Sequence, residues 1–427
     1  MNDFIMNTKT LTISAPKKPI QLKLSLPTSK SIANRLLIMQ SFNPAMTISN
    51  LSEANDTILL QRLLNQMKEN GNQKSPVTLD AGPAGTVYRF MTARLAIEPG
   101  TWFLTGTERM KERPVKLLID ALRTLGADIE YAGKEDYPPL IIHGKRIRGG
   151  KVSIDAGVSS QYISALMMIA PALEEGLDLT LTGSVGSLPY IEMTARLMQQ
   201  AGITVICNKN NYVIPAQSYA PVQLITEPDW SAASYWFQIV SMSQHSEVLL
   251  KDLKPESLQG DSAVRALFEP LGVQSQFTND GLLLKNISTN ATYFTADFTN
   301  IPDLAQTFAV TLAAKGISSR LSGLRSLRIK ETDRINALIT ELDACGFKAT
   351  ENEDFVLELP KQKISIKSDK PFIHTWHDHR MAMAFAPFCL TGQHLQIENP
   401  DVVQKSYPAF WNHLRDAGFS IEVITIR

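Results

Sequence analysis

Residues 177–207 read LDLTLTGSVGSLPYIEMTARLMQQAGITVIC, and the architecture of the whole chain can be read outward from them. LTLTG alternates apolar and polar residues and stops at Gly183, which predicts a strand closed by a turn. A helical stretch then runs to Gly202, where a left-handed C-cap is expected, and ITVIC alternates again as a following strand.

The same signature recurs along the chain. Short alternating runs close at Asn50, Gly106, Gly183, Asp252, Gly323 and Asn399. Helical stretches stop at Gly126, Gly202, Gly272, Gly346 and Gly418, each followed by a new alternating segment. A second kind of helix opens with small or polar residues and continues apolar: SKSIANRLLI, AGTVYRFMTARLA, SSQYISALMMIAPAL, PDWSAASYWFQIV, IPDLAQTFAVTLAA and DHRMAMAFAPFCL. Leu304, Phe308 and Leu312 show the i, i+4, i+8 stripe of a packed face. The period is roughly seventy residues, shorter in the first copy, where only Gly71 could serve as the cap. The pattern predicts an α/β protein of six β-α-β-α-β-β copies, three per domain. The expected N-terminal lobe is 28–227. The C-terminal lobe is 228–427, completed by 1–27, with QLKLSLP as a strand.

Composition narrows the function. A length of 427 residues exceeds one typical core. Lys plus Arg and Asp plus Glu both number 42, so no global field favours nucleic acid or a membrane surface. Cys207, Cys345 and Cys389 are too scattered for a disulfide framework or a thiolate metal site and fit a reducing cytosol. LMMIAPAL is too short to span a membrane. HTWHDHR carries three histidines, but no carboxylate or cysteine set completes a metal spacing, and Asp378 reads as a helix N-cap. The expectation is a cytoplasmic protein with no metal site.

The polar residues that matter collect at helix starts: Lys30, Ser31 and Arg35; Gly82, Gly85 and Thr86; Ser159, Ser160 and Gln161; Asp303; Arg380. Loops before other helices carry RMKERP (109–114), SLPY (187–190), RIKETDR (328–334) and QKSYP (404–408). Helix N-termini present free N–H groups and a positive dipole end, arginine adds a two-pronged fork, and lysine a mobile charge. Several such ends suit small, highly charged anions. Each motif taken alone is explained equally well by ordinary capping or a solvated charge run. Their recurrence at corresponding places in different copies is not.

LPTSKSIANR, AGPAGTVYR, RMKERPVKLLIDALRTLGA, SSQYISALMM, SLPYIEMT, TEPDWSAASY, IPDLAQT, RIKETDR, DHRMAMAF and QKSYPAFW occur in this order. As an ordered set they resemble the 3-phosphoshikimate 1-carboxyvinyltransferase (5-enolpyruvylshikimate-3-phosphate synthase) family along essentially the whole chain. The resemblance implies the two-domain enolpyruvyl transferase fold and a monomeric enzyme that needs no cofactor, with two small-molecule substrates, 3-phosphoshikimate and phosphoenolpyruvate. It implies contacts to 3-phosphoshikimate from Lys30, Ser31, Arg35, Ser159, Ser160, Gln161, Ser187, Tyr190, Asp303, Ser326 and Lys330. It implies a phosphoenolpyruvate pocket of Lys30, Gly85, Arg109, Gln161, Arg334, Arg380 and Lys405, with Lys30, Asp303 and Glu331 as catalytic groups. Three positions depart from the family pattern: Pro83 replaces an asparagine, Leu188 an often basic residue, and Ser326 an asparagine. The alternatives are the sister enzyme acting on UDP-N-acetylglucosamine and a non-catalytic anion binder on the same scaffold. The first usually carries a cysteine where this chain has RMKERP. The second predicts loss of Lys30, Asp303 or Glu331, all of which are present.

Overall fold

The computed structural model describes residues 8–426 except 71–74, 158, 353, 364–367 and 369, so the candidate cap Gly71 lies outside the described residues. The chain forms two compact units. One is Thr28–Glu227; the other joins the chain up to Pro27 to the stretch from Pro228 onward.

Five four-stranded sheets share one topology: a parallel pair, then two antiparallel strands. Val77–Asp80 lies parallel to Gly100–Thr105, which pairs antiparallel with Leu140–Gly144 and through it with Asp128–Tyr131. The first copy is reduced, among the described residues, to the parallel pair Thr47–Ser49 and Gln223–Ile225. Its partner strand comes from just before residue 228. In return Gln21–Ser25 pairs parallel with Glu247–Lys251, so each strand pairs with one distant in sequence. Thr8–Ser14 sits between Leu395–Glu398 and Ser420–Ile426, antiparallel to both.

Local chemistry accounts for the element ends. Gly126, Gly202, Gly272, Gly346 and Gly418 all have φ between 83° and 106°, where a side chain strains the backbone. At Gly272 a Cβ would also stand 2.8 Å from the carbonyl oxygen of Ile287. The turn residues Asn50, Gly183, Asp252, Gly323 and Asn399 are left-handed as well. Gly106 is not; there a Cβ would meet the Gly82 carbonyl at 2.7 Å.

Two kinds of helix follow from two patterns of apolarity. Lys30–Gln40, Gly85–Ala96 and Ser160–Ile169 in one unit, and Trp230–Met242, Ala305–Lys315 and His379–Phe385 in the other, are buried on nearly every face. A helix apolar all round has to be surrounded by protein. Ala305–Lys315 packs on both Trp230–Met242 and His379–Phe385. The remaining helices, such as Lys116–Thr124 and Arg334–Ala344, bury one stripe only. No described helix is long and apolar enough to cross a membrane.

Candidate active site

In the unit from Pro228 onward, the buried helices and their preceding turns assemble an alternating row of charges. Asp378 caps His379–Phe385 by accepting from the Arg380 N–H at 2.9 Å, which fixes Arg380 at the helix start. Arg380 Nη2 donates to Asp303 Oδ2 at 2.7 Å, and its Nη1 to the Asp303 carbonyl at 3.1 Å. The other oxygen of Asp303 accepts from Arg334 Nη1 at 3.2 Å. Arg334 reaches Glu331 Oε2 at 3.0 Å, and Lys405 reaches Glu331 Oε1 at 2.8 Å. The row runs Arg380, Asp303, Arg334, Glu331, Lys405. Arg334 Nε is backed by Asp378 Oδ2 at 2.7 Å, with the guanidinium only 2% exposed.

This row tunes its members. Burial raises the Asp303 carboxyl, but Arg380, Lys330 and Arg334 outweigh it and hold the group well below the usual carboxylate range. Burial opposes the charge on Arg334, yet Asp378, Glu331 and Asp303 keep its proton bound more tightly than usual. Lys330 is half-buried beside Glu331, and Ser326 is half-buried on the turn Arg325–Ile329. Two histidines of HTWHDHR face different partners: His374 meets Glu398 at 3.0 Å and His377 meets Asn399 at 3.4 Å. Among the described residues no three His, Cys, Asp or Glu groups converge as a metal cage.

In Thr28–Glu227 the expected residues again stand at buried helix starts. Lys30 Nζ pairs with Asp56 at 3.0 Å, both side chains largely buried. Ser31 is half-buried beside it. Arg35 points inward: Nε donates to Thr194 at 2.7 Å, Nη1 to the Ser31 carbonyl at 2.8 Å, and Nη2 to Ser164 at 3.0 Å and the Tyr190 carbonyl at 3.3 Å. Burial lowers its pKa to about 10. Arg35 therefore ties the starts of three helices together. Ser159 caps Ser160–Ile169 by accepting from the Gln161 N–H. Gln161 donates to Thr86 at 2.9 Å and accepts from Arg89 at 3.0 Å, joining that helix to Gly85–Ala96. Ser187 precedes Leu188–Gln200 in a left-handed conformation, φ 57°, uncommon for a residue with a Cβ, and Tyr190 follows in the first turn.

The two arginines of RMKERP differ in burial. Arg109, assigned by motif to the phosphoenolpyruvate pocket, has a side chain 45% exposed and pairs with Glu112 one turn on. The buried arginine of the same loop is Arg113. A Cβ on Gly85 would stand 2.5 Å from Arg113 Nη1 and 2.4 Å from Arg89 Nη1, so two guanidinium groups crowd this helix start. Tyr162 secures the loop by donating to the Pro114 carbonyl and lies under the Arg89 guanidinium at 5.4 Å. Arg113 sits within the quoted motif RMKERP, but no local pattern says which of its two arginines turns inward. Arg89 and Asp56 carried no such signal in the sequence, whereas Thr86 stands among the polar residues of the helix starts.

Buried cations at helix starts, interleaved with carboxylates, define an enzyme built to bind small anions and move protons beside them. The family model EPSP synthase (3-phosphoshikimate 1-carboxyvinyltransferase) matches residues 14–414, and the chain belongs to that family. The chain is 43% identical to the 3-phosphoshikimate 1-carboxyvinyltransferase of Bacteroides fragilis over 413 residues, 96% of this chain and 98% of that protein. It is 34% identical to the enzyme of that name from Vibrio cholerae over 424 residues, 92% of this chain and 97% of that one. A solved EPSP synthase from Acinetobacter baumannii superposes with a TM-score of 0.76 at 20% identity, covering 98% of this chain and all of the other, and shows the shared fold.

Proposed function

We propose that the chain transfers the enolpyruvyl group of phosphoenolpyruvate to the 5-hydroxyl of 3-phosphoshikimate and releases phosphate. The activity named for its relatives supports this, and the charge row from Arg380 to Lys405 is the observation that carries it. In the addition, the 5-hydroxyl oxygen bonds to C2 of phosphoenolpyruvate while C3 takes a proton and the hydroxyl loses one. In the elimination, the new methyl group returns a proton and the bond from C2 to the phosphate oxygen breaks. Each half needs an acid, a base and fixed cations. Asp303 receives the hydroxyl proton, and Glu331 and Lys30 deliver protons. Without a ligand, Asp303 is a weak base because Arg380 and Arg334 hold its charge. An anion that takes up hydrogen bonds from these arginines loosens that hold and strengthens Asp303 as the substrates arrive.

In Thr28–Glu227, Arg113 and Arg89, at the Gly85 helix start, join Gln161 and Lys30 as phosphoenolpyruvate contacts in this reading. Ser31, Arg35, Ser159, Ser160, Ser187 and Tyr190 form the cradle for 3-phosphoshikimate. On the other unit, Arg334, Arg380 and Lys405 serve phosphoenolpyruvate, and Ser326 and Lys330 serve 3-phosphoshikimate. The free thiols fit a reducing cytoplasm, and the chain acts as a monomer on small molecules. The purified chain is expected to release phosphate only when both substrates are present, and a chelator should not slow it. Turnover with UDP-N-acetylglucosamine in place of 3-phosphoshikimate would overturn the assignment.

Gly85→Ala tests the crowded helix start. The new methyl would displace the flexible ends of Arg89 and Arg113 rather than backbone, so folding should survive. The Michaelis constant for phosphoenolpyruvate should rise about tenfold or more, the loss of one charge-assisted contact. That for 3-phosphoshikimate should move much less. Equal rises for both substrates, or no rise, would show that these arginines do not hold the anion.

A further inference from the structure

The turn that leads into Asp378 and Arg380 is strained, and nothing in the mechanism above accounts for it. The Asp378 N–H donates to the Thr375 carbonyl at 2.8 Å, closing a turn whose central residues, Trp376 and His377, both have φ 54°. Turns left-handed at both central positions are made mostly by glycine, asparagine and aspartate, and a tryptophan enters that region against a steric penalty. Such a backbone persists only where its surroundings hold it. The holding group is Glu341, which is 1% exposed. It stands on Arg334–Ala344 two helical turns on from Arg334, so both side chains lie on one face. That face grips the segment from His374 to Asp378 at both ends. Arg334 Nε donates to Asp378 Oδ2 at 2.7 Å. Glu341 Oε1 accepts from the Trp376 indole N–H at 2.8 Å, and Oε2 from the His374 backbone N–H at 3.1 Å. The turn in turn sets Asp378, which accepts from the Arg380 N–H at 2.9 Å, and Arg380 reaches Asp303 at 2.7 Å.

We propose that Glu341 is a positioning residue for Arg380: it holds the strained turn 375–378 and so sets where the guanidinium that meets phosphoenolpyruvate stands. The inference rests on the reading of Arg380 as a phosphoenolpyruvate contact. Arg334 fixes the Asp378 carboxylate but not the direction from which the backbone enters it. Released from Glu341, Trp376 and His377 relax toward right-handed torsions, which re-aims Asp378, weakens its cap and lets Arg380 drift. An arginine already in place needs no reorganisation when the anion arrives, and that advantage is lost when the turn relaxes.

The test measures both Michaelis constants and the thermal midpoint for Glu341→Gln, Trp376→Phe and the two combined. Glutamine keeps the shape but turns one acceptor into a donor, so it can serve the His374 N–H or the Trp376 N–H and not both. Glu341→Gln should raise the constant for phosphoenolpyruvate about three- to tenfold, the loss of one hydrogen bond, and leave that for 3-phosphoshikimate within about twofold. Trp376→Phe removes the indole donor that opposes the glutamine amide, so adding it should bring the constant back toward wild type. A Glu341 that only stabilises the fold would lower the midpoint and move neither constant. That result, or a double variant worse than Glu341→Gln, would overturn the inference. Arg380→Ala separates the two readings. No rise in the phosphoenolpyruvate constant there would overturn the pocket itself, whereas a rise at Arg380 without one at Glu341 overturns this inference alone. Should Glu341→Gln fail to fold, Trp376→Phe by itself decides: it leaves a Glu341 oxygen without its indole donor and should show the same split between the substrates, and equal constants to wild type would overturn the proposal.

Discussion

Arg334→Ala is expected to destabilise its unit by about 3–5 kcal/mol and to abolish measurable turnover. The guanidinium is 2% exposed and bonds to three carboxylates: Asp303, Glu331 and Asp378. Truncation to alanine leaves three acidic groups facing a cavity, and Asp378 is fully buried. Leaving a buried charge uncompensated is much more costly than losing an exposed pair. Asp378 also caps His379–Phe385, so a change in its charge reaches the helix start that presents Arg380. Arg334→Lys keeps the charge but has no planar fork with which to reach three acceptors at once. It should fall between wild type and alanine in stability and retain little activity. Denaturant unfolding with the phosphate-release assay checks both. An alanine variant within about 1 kcal/mol of wild type would show that the three carboxylates do not depend on Arg334.

The two arginines of RMKERP are expected to separate by more than an order of magnitude. Arg113→Ala should raise the Michaelis constant for phosphoenolpyruvate by about ten- to a hundredfold, corresponding to roughly 1.5–3 kcal/mol for a charge-assisted hydrogen bond to an anion. Arg113 is buried at the start of Gly85–Ala96, where the helix dipole and the Arg89 guanidinium add to its field. Arg109→Ala should change the same constant less than about threefold. Its side chain is 45% exposed and pairs with Glu112, the kind of surface ion pair that contributes 0–1 kcal/mol. Titration of phosphoenolpyruvate at saturating 3-phosphoshikimate measures both variants. A large effect at Arg109 and a small one at Arg113 would return the pocket to the residue favoured by motif alone.

Features governed by a few neighbouring residues were legible in the sequence. The glycines closing the amphipathic helices are left-handed because only glycine enters that region without strain, a constraint acting within one turn. Asp378 and Ser159 cap helices because a side-chain oxygen satisfies an N–H two residues on. The helices buried on all sides were marked by their continuous apolarity, and with them the helix starts that carry Lys30, Gly85, Ser160 and Arg380.

What the tertiary structure decided lies between residues distant in sequence. Lys30 pairs with Asp56, Arg35 with Thr194, Gln161 with Thr86, and Arg334 with Asp378, each through packing that no short pattern encodes. The burial of Arg113 rather than Arg109 was of this kind. The two stand four residues apart in one charged loop, and the packing of Tyr162 and Pro114 settles which side chain turns inward. Sequence determined where backbone ends and dipoles stand, since those depend on local torsions. Only tertiary structure decided which charges share a dry environment, and with them the protonation on which the chemistry depends, since burial and Coulomb energy depend on distance in space.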